Sequence, residues 1–95
     1  MQVEFAGFPC VVKKAEYLSG KRTAIELVHA QDGDSVAMAT VNLPDVELAP
    51  SEVFIKSYSE NEGMAECLIK AGAIGPVKRL QATGYTHVTV HECLI

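Results

Sequence analysis

A helical period runs through one stretch of this chain, Ser59 to Gly72, and that bounds the fold before anything else does. Within it Met64, Cys67, Leu68 and Ala71 recur at i, i+3, i+4 and i+7, the spacing that lines apolar side chains along one stripe. Elsewhere apolar and polar residues alternate in short runs broken by Gly, Pro and Asp-Gly, which is the period of half-buried strands. Runs this short and this close in sequence pair antiparallel, because a parallel pair needs a crossover of a dozen or more residues. The expectation is an α+β domain: an antiparallel sheet of five or six strands with one amphipathic helix packed on one face.

Gln2 to Phe5 alternates, Gly7 and Pro9 supply a turn, and Cys10 to Leu18 returns as the second arm of a hairpin. After the Ser19-Gly20-Lys21 turn comes a third strand near Ala24 to His29, with Ile25 and Leu27 as its inward face. Asp32-Gly33 tolerates positive φ and marks a tight hairpin into a fourth strand, Ser35 to Asn42. Leu43 to Ser51 holds two prolines and two acids and reads as an exposed connector, and Val53-Phe54-Ile55 follows as a short strand. Ser59-Glu60-Asn61-Glu62 fits a capping box, in which the Ser59 hydroxyl and the Glu62 carboxylate each satisfy the other residue's amide. That predicts a helix over about residues 60 to 71, stopped by Gly72 in a left-handed conformation. Val77 to Thr83 is open between loop and weak strand. Thr86 to Leu94 reads as a terminal strand, with Val88, Val90 and Leu94 on one face and His87, Thr89, His91 and Cys93 on a partly exposed polar face.

At 95 residues the chain is long enough for one core, and no repeat or linker divides it, so residues 1–95 form a single domain. No apolar run approaches the roughly 18 residues that span a bilayer, and the start lacks the basic and then apolar pattern of a secretory signal. Three cysteines with no C-x-x-C pair suggest neither a disulfide framework nor a zinc ribbon, and the expected compartment is the reducing cytoplasm. His91 and Cys93 are close enough along a strand to share an ion, whereas His87 lies about 13 Å from His91 and cannot join them. No fourth ligand has recognised spacing, so no metal and no other cofactor is expected. Neither Cys67 nor Cys93 has a base and an orienting group beside it, and the acids at the helix start have structural reasons to be there, so the chain does not read as an enzyme.

Charge is more informative. A net charge of −4 argues against a sequence-independent grip on nucleic acid, and three dibasic pairs, Lys13-Lys14, Lys21-Arg22 and Lys78-Arg79, serve that purpose only if the fold gathers them. Between residues 45 and 66 stand six acids, Asp45, Glu47, Glu52, Glu60, Glu62 and Glu66, against the single base Lys56, with Tyr58 and Asn61 among them. Taken together those eight positions, the six acids with Tyr58 and Asn61, form the expected partner-binding surface, complementary to a basic protein face.

The segment Val53-Phe54-Ile55-Lys56-Ser57-Tyr58-Ser59-Glu60-Asn61-Glu62-Gly63-Met64, with Leu68 to Gly72 after it and Ala39-Thr40-Val41-Asn42-Leu43-Pro44 before it, resembles a family of small proteins carried by phages, plasmids and conjugative elements. The resemblance covers residues 39 to 72 and implies no activity. It implies a non-catalytic interaction module whose partner is a host or element-encoded protein, including a host defence complex of the CRISPR type. The alternative is an accessory nucleic-acid-binding protein using the dibasic pairs. A homodimer through edge pairing of a terminal strand is a further expectation.

Overall fold

The computed structural model describes residues 1–84 and 86–95. Four strands form the first sheet: β1 (Gln2–Phe5), β2 (Phe8–Glu16), β3 (Thr23–His29) and β4 (Ser35–Met38), antiparallel in the order β1-β2-β3-β4. The turns explain the connections. Ala6 and Gly7, at φ 53° and 83°, join Phe5 to its partner Phe8 in the two-residue, double-positive-φ geometry that matches strand twist. At the Asp32-Gly33 turn, Gly33 sits at φ 77° and the Asp32 carboxylate accepts the Asp34 amide at 3.0 Å.

The second sheet has three strands, β5 (Glu52–Ile55), β6 (Arg79–Ala82) and β7 (His87–Glu92), in the order β5-β7-β6. The α+β class is as expected, but among the described residues seven strands stand in two sheets, where one sheet of five or six was expected. The reason lies in the fourth predicted strand, which the fold divides. Ser35–Met38 stays with β3, the Ala39 amide still bonds the Ile25 carbonyl at 2.9 Å, and then the chain changes partner. Thr40 bridges to Ile55, and the Val41 amide donates to the Phe54 carbonyl at 3.2 Å. The Thr40 hydroxyl stabilises this crossing: it accepts the Ile25 amide at 3.1 Å and lies 2.8 Å from the Tyr17 hydroxyl.

The alternation of β5 and β7 gives the second sheet two buried faces. Val53, Ile55 and His91 turn toward the main core, where Ile25, Leu27, Met64, Leu68 and Ile74 are fully buried. Phe54, Val88 and Val90 turn the other way and are covered by Val41, Leu43, Val46 and Leu48. The connector expected to be exposed is therefore a half-buried strap over a second, smaller core. Arg22 holds it, donating from its two terminal nitrogens to the Leu43 and Val46 carbonyls at 2.7 and 2.6 Å.

One helix, α1 (Met64–Ala71), packs beside β1 with Met64, Ala65 and Leu68 inward. It begins four residues later than the sequence suggests, and the capping box does not form. Ser59–Asn61 is instead a separate 3₁₀ turn, Glu62 is extended at ψ 129°, and Gly63, at φ 86°, makes the sharp entry into the helix. The cap is Ser57, whose hydroxyl accepts the Ala65 amide at 2.9 Å. The helix end is as expected: Gly72 is left-handed at φ 80°, and the Gly72 and Ala73 amides close back onto Ile69 and Leu68. Of the two terminal strands, β7 is the middle strand of its sheet, whereas β1 lies at an edge of the first sheet. No helix among the described residues is long and apolar enough to cross a membrane.

Candidate interaction surface

The turn between β5 and α1 is built around a buried side chain with exposed neighbours. Asn61 is 1% exposed, and its amide nitrogen donates to the Met38 carbonyl at 2.7 Å and to the Lys56 carbonyl at 3.1 Å. Backbone bonds from Asn61 to Tyr58 at 3.0 Å and from Glu62 to Ser59 at 3.1 Å close the 3₁₀ turn. Ser59 is held at φ 58°, a left-handed conformation that costs a residue with a Cβ about 1–2 kcal/mol. Strain of that kind persists only where surrounding bonds enforce it, and here the Asn61 anchor does so. The result is a stiff projection carrying Tyr58, Glu60 and Glu62, with Glu66 exposed one helical turn on.

Its electrostatics are uneven. The Lys56 ammonium lies 3.2 Å from a Glu60 oxygen and 5.7 Å from the centre of the Tyr58 ring. Its own backbone amide first, then the Ser59 hydroxyl and Lys56, hold the Glu60 carboxyl down to about 2. Glu62 and Glu66 are exposed and join no ion pair among the described residues, so they carry the outward negative charge of this turn.

Other residues expected on the surface lie elsewhere. Glu52 is 5% exposed: one carboxylate oxygen accepts the Ala49 amide at 3.0 Å, and the other lies 2.6 Å from Lys78 Nζ and 3.5 Å from Arg79 Nη1. The Lys78 bond foremost, then the Ala49 amide, pulls its carboxyl down to about 2. It is a latch between the strap and β6, not a contact residue. Asn61 is likewise an anchor, because its amide nitrogen is engaged twice and its side chain is buried. Asp45 and Glu47 are exposed on the strap, which covers the Phe54 face of the sheet, whereas α1 packs toward the Val53 face. The six acids are thus divided between opposite faces of the second sheet, with one of them internal.

Comparison with protein-family models, with curated proteins and with solved structures returns no match. His91 is fully buried, correcting the expected polar strand face: its Nδ1 donates to the Gly75 carbonyl at 2.8 Å, and its Nε2 lies 2.7 Å from the Thr89 hydroxyl. A carbonyl only accepts, so Nδ1 carries a hydrogen and this histidine ties β7 to the segment after α1. Among the described residues, no three His, Cys, Asp or Glu side chains gather as a metal site. Burial pushes both the Cys10 and Cys67 thiols up.

The dibasic pairs are not assembled into one face either. Lys78 and Arg79 are turned onto Glu52, Arg22 grips the strap, and Lys14 donates to the Ile95 carbonyl at 2.7 Å. Two features have little or no local signal in the sequence. Ser57 as the helix cap stands seven residues ahead of the first helical residue and has no local signature. β6 falls in the run left open between loop and weak strand: Arg79-Leu80-Gln81-Ala82 alternates polar with apolar, but only over four residues and with no β-branched or aromatic side chain among them.

Proposed function

We propose that this protein is a non-catalytic interaction module that docks on a basic protein surface through the Tyr58–Glu66 projection. The observation that carries the reading is the Asn61 anchor beneath a strained Ser59. A turn already fixed in one shape loses little conformational entropy on binding, and an exposed tyrosine is a residue that interfaces favour. Glu62 and Glu66 give the charge that steers and registers a basic partner.

The resemblance of residues 39 to 72 to a mobile-element family supplies context, and the reading extends to a host defence complex as the class of partner. The competing reading, nucleic-acid binding through the dibasic pairs, draws less support because four of those six cations are held in intramolecular bonds.

The test is affinity capture from host lysate, with the parent protein and the Glu62→Lys, Glu66→Lys double variant as baits. Both positions are exposed and join no ion pair among the described residues, so the variant should fold. The expected result is a protein retained by the parent, released by moderate salt and lost with the variant. Retention that is indifferent to the reversal and to salt removes the acidic turn as the docking surface.

A further inference from the structure

The second sheet ends on β6, and among the described residues no strand pairs with its outer side. Edge strands that must remain single are commonly guarded by charged side chains, a proline or a bulge. Here the two cations that could guard this edge are drawn back over the sheet. Lys78 Nζ lies 2.6 Å from Glu52 and 3.3 Å from Glu92, and Arg79 reaches Glu52 at 3.5 Å. Two apolar side chains stand out on this edge: Leu80 is 61% exposed, and Val77, just ahead of the strand, is 50% exposed. Beside the strand runs an open depression of about 760 Å³, with Arg79 and Gln81 on one side and Val46, Glu47, Leu48 and Pro50 of the strap on the other.

We propose that the outer edge of β6 and this depression form a docking site for an extended, basic segment of another protein. Unpaired backbone groups along a strand edge can accept an added strand, and alternation then sends its side chains to the two faces in turn. On the Phe54 face every second side chain meets the depression, where Val46 and Leu48 can pack an aliphatic stem and the exposed Glu47 carboxylate can meet its charged head. On the other face the intervening side chains meet Leu80. The local charge selects a base for the first set. Lys78 and Arg79 offset Glu52 and Glu92, leaving Asp45 and Glu47, which join no ion pair among the described residues. The recognised pattern is therefore basic alternating with apolar over about four residues, the length of β6. This site uses the strap side of the sheet and does not rest on the Tyr58–Glu66 turn.

The probe is a capped peptide, Lys-Val-Lys-Val-Lys, titrated into nitrogen-15-labelled protein and followed by amide shifts. Its controls are the Glu-Val-Glu-Val-Glu peptide and a basic peptide methylated on alternate backbone nitrogens. The site predicts saturable shifts at Arg79 to Ala82 and in the strap with the basic peptide, and loss of those shifts with methylation. Glu47→Lys should weaken binding about fivefold, the size of a partly exposed charge contact. No shift at millimolar peptide, equal shifts from the acidic peptide, or indifference to Glu47→Lys would each overturn the proposal. So would the same amides shifting with protein concentration alone, because a second copy would then be the occupant. Failure here leaves the capture experiment with Glu62 and Glu66 intact, since the two tests share no residue.

Discussion

Replacing Glu52 with Gln tests whether a buried charge latches the strap to β6. The amide can keep the acceptor that receives the Ala49 N–H, but it loses the charge facing Lys78 at 2.6 Å and Arg79 at 3.5 Å. A hydrogen bond to a charged group contributes about 1.5–3 kcal/mol. Lys78 and Arg79 side chains are each 44% exposed, so solvent screens part of this and about 1–2 kcal/mol is expected at neutral pH. For a domain of this size that lowers Tm by roughly 4–8 °C per kcal/mol. The sign with pH is fixed by the direction of the shift. Glu52 is held at about 2, below its ordinary 4.5, so its stabilisation is complete above 4.5 and disappears as pH falls through 2. Urea unfolding of parent and variant across that range should therefore show a gap that closes toward pH 2. Other acids titrate in the same window, which makes the gap, not either curve alone, the diagnostic quantity. A gap that stays constant from pH 7 to pH 2 would refute the charge-based account.

Two more substitutions address the anchors. Asn61→Ala removes both side-chain bonds to Met38 and Lys56 and leaves two carbonyls without that donor, so a loss of about 1–3 kcal/mol is expected by denaturant unfolding, together with faster amide exchange from Ser59 to Glu62. Unchanged exchange would mean that the turn is held by its backbone alone. His91→Phe keeps bulk but strips the donor from the buried Gly75 carbonyl, and should lower stability by about 1–3 kcal/mol; an unaltered Tm would show that this bond contributes nothing net.

How much of this was legible in the sequence depended on how local the cause was. The hairpin turns at Gly7 and Gly33 and the helix stop at Gly72 are set by glycines within a residue or two, and those elements fall where alternation and turn chemistry place them. The helix start was misread because Ser59 and Glu62 satisfy a capping box by spacing, while the actual cap, Ser57, acts across a 3₁₀ turn that Asn61 enforces from the far end of β4. The division into two sheets depends on Thr40 finding Ile55 and Ile25 at once, a long-range choice that no local pattern encodes. The acidic surface suffered similarly: proximity in sequence between Asp45 and Glu66 does not survive a sheet passing between the strap and the helix. Glu52 looked like any other surface acid until the register of β6 brought Lys78 and Arg79 over it.

The crossing at Ala39–Val41 ties the two sheets by hydrogen bonds as well as by the chain itself. Three consecutive residues bond first to one ladder and then to the next, with Thr40 gripping both, so opening at this splice loosens β3 and β5 together. A load applied at the Asn61 turn, which hangs from the Met38 carbonyl just upstream, passes through that splice into β3 and β5 together.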